Sequence, residues 1–388
     1  MARTLLLLVA TCAARDIKVC SAEWGAATSH GPIRIANVEL HSQQPLRVAA
    51  QLAVRASADG VSSSLLSEAK TFEPAELAAF AALLRPHTVV LDIGANVGWW
   101  TFNFATEHEV HSFEPFPANL ALQNLSKCLN PKLASRIITY PVGLYEQEPA
   151  RCEMYSSPKN VGDTHTVCGT LNELTSKRAD MKNNLRRGSV EMRVLDKLVP
   201  SRLFHEDKII KMDIEGSELA ALKGATHLLT SGEPPRAIFM EVVFFRGTAR
   251  RELYQFLDRY GYAPRQRVNY NMMFVHKKHL PMMEPWYRSD HGASRSVCDD
   301  LCAFHRPPAC NTTCGLKGMR NCCGWWNQQS SKLGAPPPSP SQHPRRALAR
   351  ARSARLVSLQ PARPRRANQM LVMTEAVALS VKHSNNFS

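Results

Sequence analysis

Long apolar runs are missing from this chain. No stretch approaches the ~20 consecutive apolar residues of a membrane-spanning helix, so none is expected in the mature chain. The Gly-x-Gly-x-x-Gly fingerprint of a dinucleotide site is also lacking where the chain has its glycine-punctuated turn, at residues 89–98. That excludes a pyrophosphate seated on a helix N-terminus at that turn. Acids are scarce against bases, 33 Asp and Glu to 48 Lys and Arg, for a net charge of +15. Such a surplus suggests nucleic acid until it is located. Ten of the bases and one acid, Glu375, lie between Lys332 and Ser388, so this tail alone supplies +9. The remainder has no Lys/Arg clusters interleaved with aromatics and no Asn-Pro-Pro-Tyr base-flipping motif. Nucleic acid is therefore not an expected partner. An RNA-directed role using the tail stands as the alternative reading. From Gly334-Ala-Pro-Pro-Pro onward the Pro/Arg/Ala bias reads as a solvated, disordered extension.

What is present fits an ordinary globular protein. At 388 residues, with 44% apolar and 21% charged, the chain can bury one sizeable core and carry appendages. Met1-Ala-Arg3, the apolar Leu5–Ala10 and the small residues up to Ala14 read as a signal peptide over 1–14. A lumenal or secreted location follows if that signal is real, and a cytoplasmic one otherwise. Six of the eleven cysteines crowd into residues 298–323, at Cys298, Cys302, Cys310, Cys314, Cys322 and Cys323. An even cluster in a loop-like stretch reads as a disulfide-stapled module. Zinc is the rival, but the vicinal Cys322-Cys323 suits a zinc cage poorly. Loss of Cys12 with the signal would leave ten cysteines, an even number. Asn124-Leu-Ser, Asn311-Thr-Thr and Asn386-Phe-Ser are glycosylation sequons.

The middle of the chain alternates strand and helix. A helix around Glu73–Leu84 enters at Pro74. Strands are expected at Thr88–Ile93, Val110–Phe113, Ile137–Val142, Lys208–Met212 and Ala237–Val243. Helices are expected at Val97–Glu107, from Pro117, at Ser217–Leu229 and at Ala249–Tyr260, the last stopped by Gly261. Arg265–Val268 and Met272–His276 form a closing hairpin, which should add one antiparallel edge strand. The polar stretch 146–190 reads as an insertion or cap over a site. The fold class is α/β: a Rossmann-like, mostly parallel seven-stranded sheet with an antiparallel last strand and helices on both faces. The stripe Trp99, Trp100, Phe102 and Phe104 reads as core packing rather than a cofactor box.

Three motifs carry chemistry. The first is Asp92-x-Gly94-x-Asn96-x-Gly98, where an acid precedes the first glycine and Trp99 stands where the third would fall. A carboxylate there repels phosphate but suits the α-amino group of S-adenosylmethionine. The second is Glu114, twenty-two residues beyond Asp92 at a strand end, where an acid can take both ribose hydroxyls. The third is Lys211-Met-Asp213-Ile-Glu215-Gly-Ser-Glu218, at the strand edge where open sheets bind ligands. Its carboxylates could serve as a general base, bind a metal or satisfy a helix N-terminus, and no metal site is assigned. Glu241 is the next acid on that edge. Asp213 is the first candidate base, with His165 and Glu215 behind it, and Gly143 joins the cofactor side.

Together these motifs resemble the FkbM family of methyltransferases over about residues 87–277. The carriers are Leu91–Gly98, Phe113-Glu-Pro115, Lys211–Glu218 and Leu222-Lys-Gly-Ala225. The resemblance implies a class I methyltransferase fold and methyl transfer to oxygen on small natural products or sugars. It places Asp92, Gly94, Asn96 and Gly98 on the methionine side of S-adenosylmethionine and Glu114 at its ribose. A small-molecule or glycan acceptor is then the expected partner. Domains are expected at 1–14 (signal), 15–70 (extension), 71–280 (methyltransferase), 281–330 (cysteine module) and 331–388 (tail). A non-catalytic interaction protein on a retired scaffold is the third reading, opposed by the intact set of Asp92, Glu114 and Asp213.

Overall fold

A computed structural model describes residues 20–41, 47–56, 59–148, 150–168 and 183–282. The expected signal peptide, the cysteine module at 298–323 and the basic tail lie outside them. The strands are β1 (Ile33–Leu40), β2 (Val48–Arg55), β3 (Val89–Ile93), β4 (Val110–Phe113), β5 (Ile137–Tyr140), β6 (Gly143–Leu144), β7 (Ala150–Ser157), β8 (Asn160–Val167), β9 (Leu185–Arg193), β10 (Lys208–Met212), β11 (Ala237–Glu241), β12 (Tyr262–Val268) and β13 (Asn271–His276).

Seven of them form one sheet in the order β12-β13-β11-β10-β3-β4-β5. The pairs β11/β10, β10/β3, β3/β4 and β4/β5 are parallel, and β13 runs antiparallel to both neighbours. The expected Rossmann-like sheet with a reversed last strand is therefore present. One detail differs. The reversed strand is not at the edge: β13 slots between β11 and β12, and β12 is the edge. Pairing with β11 lets β13 bury five of its six residues, which an edge would leave half exposed.

β3 and β10 are buried at every position, as expected of central strands covered on both faces. One face packs Leu91, Ile210, Met212, Leu253, Tyr254 and Phe274 into a cluster with the helix Gly247–Arg259. The other packs Val90, Ile209 and Phe239 against Phe80, Trp100, Phe102 and Phe104. The single helix expected at Ser217–Leu229 is two, Glu218–Lys223 and Thr226–Leu229. Gly224 separates them because the Tyr145 carbonyl oxygen approaches so closely that a Cβ would lie 2.2 Å from it.

Two regions hold structure that the residue pattern does not yield. The extension holds the antiparallel pair β1/β2, and Cys20 at the start of helix Ser21–Thr28 is bonded to Cys128 of helix Pro117–Leu129. The polar insertion holds β7, β8 and β9, which join β6 in a four-stranded sheet ordered β6-β9-β7-β8. A second disulfide, Cys152–Cys168, ties the outer ends of β7 and β8.

Candidate functional site

The strand order leaves β3 in opposite directions, to β4 and β5 on one side and to β10 and β11 on the other. Such a reversal opens a crevice beyond the C-terminal strand ends. A cavity of about 430 Å³ lies there. Gly94, Ala95 and Asn96 after β3, Glu114 after β4, Lys211, Asp213 and Glu215 around the end of β10, and Glu241 ending β11 all line it.

The turn after β3 is shaped by close approach. Gly94 has φ +82°, and a Cβ there would lie 1.7 Å from the Asp213 carbonyl oxygen. Asn96 is also left-handed, at φ 53°, a conformation that asparagine tolerates better than most residues. Gly98, at φ +91°, faces the Phe102 ring and Gln123 rather than the cavity. Asp92 is fully buried behind the wall: Oδ2 accepts from the Thr101 hydroxyl at 2.6 Å, and Oδ1 faces Lys211 Nζ at 3.6 Å. Burial raises the Asp92 carboxyl, with Lys211 and Thr101 opposing. Asp92 thus supports the turn from below rather than lining the cavity.

Glu114 is 5% exposed yet reaches the cavity. Its Oε2 accepts from the Asn96 N–H at 2.7 Å and its Oε1 from the Phe116 N–H at 2.8 Å. Burial pushes this carboxyl up to about 7 against those hydrogen bonds. The Asn119 side chain hydrogen-bonds the same carboxyl, which leaves about one of its four acceptor positions for a further donor.

At the other end, Asp213, Glu215 and Glu241 bring one carboxylate oxygen each within 4.8 Å of one another. Burial, then Asp213 and Glu218, lift the Glu241 carboxyl to about 9. Glu218 turns away: its Oε1 accepts from the Ile214 and Gly216 N–H groups, so it holds the turn that leads into the helix. His165 is buried on β8, with Nδ1 3.4 Å from the Glu215 carbonyl oxygen and 3.7 Å from its Oε2, beside the Phe244 ring. It joins the cluster through Glu215, while its neighbours Thr164 and Thr166 line the cavity. Gly143 lies on a small adjoining recess that shares Gly94, Pro115, Thr166 and Ile214 with the main cavity.

Several wall residues are not evident from the sequence. Glu73 precedes a helix with its backbone left-handed at φ 48°. Its Oε2 accepts from Trp100 Nε1 at 3.1 Å, and burial lifts its carboxyl to about 7. Trp99 Nε1 donates to the Phe72 carbonyl oxygen at 2.8 Å, so two adjacent tryptophans hold Phe72-Glu73 against the site. The aromatic stripe is core, as expected, with Trp99 and Trp100 also facing the cavity. Asp59, Gly60 and Val61 come from the extension, and Asn160, Gly162, Thr164 and Thr166 from β8. The one available signal is Asp59-Gly-Val-Ser62, an N-cap pattern in which Asp59 accepts from the Ser62 N–H at 3.0 Å.

Residues 92–264 match the family described as the methyltransferase FkbM domain. Among solved structures, methyltransferase FkbM from Methylobacillus flagellatus KT is similar, with 22% identity and a TM-score of 0.34 over 50% of this chain and 46% of that one. The chain therefore covers under half of that protein's length. Precorrin-6y C5,15-methyltransferase from Geobacter metallireducens GS-15 is similar at 12% identity and TM-score 0.31, over 57% of this chain and 93% of its own. An rRNA methylase from Streptococcus thermophilus is similar at 12% identity and TM-score 0.29, over 52% and 94%. No curated protein sequence matches the chain.

Proposed function

Because residues 92–264 belong to the FkbM methyltransferase family, we propose that the chain is an S-adenosylmethionine-dependent O-methyltransferase. Its acceptor is a hydroxyl of a glycan or small metabolite. The observation that carries this reading is the single cavity wall shared by Gly94–Asn96, Glu114 and Asp213. The donor set fits the cofactor's chemistry. The turn offers bare backbone at Gly94, where any side chain would strike the Asp213 carbonyl. Glu114 offers a carboxylate lone pair for a ribose hydroxyl, and the acid-rich end favours a cationic ligand over a phosphate. When bound, S-adenosylmethionine supplies an electrophilic methyl group on a sulfonium.

The protein's own contribution is positioning and proton removal. Asp213, part-exposed at the cavity edge, is the first candidate to take the acceptor's proton. Glu215, with His165 hydrogen-bonded to its backbone, is the second. Aromatic walls at Phe72, Trp100, Phe244 and Tyr270 suit the apolar face of a sugar ring. Two disulfides support an oxidising, lumenal or extracellular setting.

Calorimetric titration of the full chain with S-adenosylmethionine tests the reading, followed by a methyl-transfer screen weighted towards sugars. Wild type should bind, and Glu114→Ala should weaken binding by about tenfold, the equivalent of one lost charged hydrogen bond. Asp213→Asn should leave donor binding in place and lower turnover on the order of a hundredfold. Absence of donor binding by wild type, or indifference to Glu114→Ala, sinks the reading.

A further inference from the structure

Lys211 sits inside the third motif, among acids that carry the expected chemistry. It is 5% exposed on the buried strand β10. Its Nζ donates to the Gly94 carbonyl oxygen at 2.9 Å, across 117 residues of chain. The same nitrogen stands 3.6 Å from Asp92 Oδ1 and 3.7 Å from Asp213 Oδ2. The Trp100 ring centroid lies 5.7 Å away. An ammonium is seldom buried so deeply unless charges and hydrogen bonds surround it. Burial here acts to lower its pKa, and Asp213, Asp92, Glu73 and Glu241 outweigh that and raise it.

The dependence runs both ways. Asp92 Oδ1 has no hydrogen bond of normal length among the described residues, so Lys211 is its counter-charge. The Gly94 backbone already touches the Asp213 carbonyl, and the Asp213 N–H donates to the Ile93 carbonyl oxygen at 2.9 Å. One ammonium thus grips three pieces: the end of β3, the Gly94 turn and the acid at the tip of β10.

We propose that Lys211 is a positioning residue that locks the Gly94 turn to the Asp213 carboxylate. It sets the distance between the donor side of the cavity and the group facing the acceptor. A lysine suits the task because a compact point charge can face two carboxylates and a carbonyl from one spot. The assignment of donor and acceptor sides rests on the function proposed above, whereas the lock itself does not.

Two measurements separate them. Amide hydrogen exchange on the unliganded chain reads the lock directly. Lys211→Met should speed exchange at residues 93–98 and 213–216 while β4 and β5 keep their protection, and Lys211→Arg should restore most of it. Unchanged exchange, or a uniform rise across the domain, overturns the proposal. Should Lys211→Met fail to fold, the pair Asp92→Asn with Lys211→Met removes the unpaired buried carboxylate. Measured against Asp92→Asn alone, it should show the same local pattern, and absence of that pattern overturns the proposal equally. Turnover kinetics read the consequence: Lys211→Met should lower kcat on the order of a hundredfold, the scale of a small misplacement, with the acceptor KM little changed. A wild type without donor affinity would defeat the proposed function and leave the exchange result to judge the lock.

Discussion

At the scale of single residues, the site is built by close contact as much as by functional groups. Gly94 is the sharpest instance, because two separate constraints fall on one Cα. Its φ of +82° strains any L side chain, and a Cβ would collide with the Asp213 carbonyl oxygen. Strain of that kind costs ~1–3 kcal/mol alone, and the carbonyl belongs to backbone that Ile93 already holds. Gly94→Ala is therefore expected to lower stability by more than ~2 kcal/mol and to push Asp213 out of line with the turn. A thermal melt with donor calorimetry checks this, and a variant that melts and binds like wild type would refute the packing argument. This residue is legible in the sequence, because a glycine placed just after a buried strand marks a turn that a side chain would block. Glu73 is not. No spacing rule marks an acid ahead of β3, and only the left-handed backbone with the Trp100 hydrogen bond aims it at the cavity.

At the scale of elements, legibility follows burial. β4 and β10 match their expected bounds to the residue and β3 to within one, because fully buried strands appear as short apolar runs bounded by turn residues. The strands β7, β8 and β9 read only as a polar cap. Register shifts at Met154/Tyr155 and Ser156/Ser157 break the period-two pattern that would reveal them. β1 alternates in two phases, Ile33-Arg-Ile35 and then Ala36-Asn-Val-Glu-Leu40, and the slip between them hides the period among mixed sequence. The cap matters because β8 brings Asn160, Gly162, Thr164 and Thr166 to the cavity. Its anchorage is the Cys152–Cys168 bond, closing a sequence separation of 16, with Cys152 buried among Phe116, Met154, Val190 and Met192. A loop of that size is worth ~3 kcal/mol in chain entropy. Replacing both cysteines with alanine should therefore speed amide exchange in β7 and β8 selectively. It should also raise the acceptor KM while donor affinity stays close to wild type. Exchange that is unaltered in the cap, or raised equally in the seven-stranded sheet, would show that the cap does not depend on this bond.

At the scale of the whole molecule, the domain buries acids in forms that resist ionisation, and its stability should record this. Burial lifts Glu73, Glu114 and Glu218 to about 7 and, with Asp213 adding to it, Glu241 to about 9, from an ordinary 4.5. A carboxyl raised in the fold contributes its stability below the unfolded value, and that contribution is lost as pH rises through the folded one. The histidines run the other way. Burial holds His108, His111, His276 and His279 below 6.5, so they add stability as pH climbs to 6.5 and nothing more above it. Lys208, lowered by burial to about 8, adds stability only from there upward. Between pH 6.5 and 7 all four raised acids act with little opposition and from 7 to 8 Glu241 continues, so the unliganded protein should melt at progressively lower temperature across that window. Glu241→Gln isolates the largest contributor, since its carboxyl Oε2 has no hydrogen bond among the described residues. The variant should show a shallower decline and melt above wild type at pH 8. A flat or rising melting temperature in wild type, or a glutamine variant that melts below it at pH 8, would mean that these acids ionise freely in the folded state.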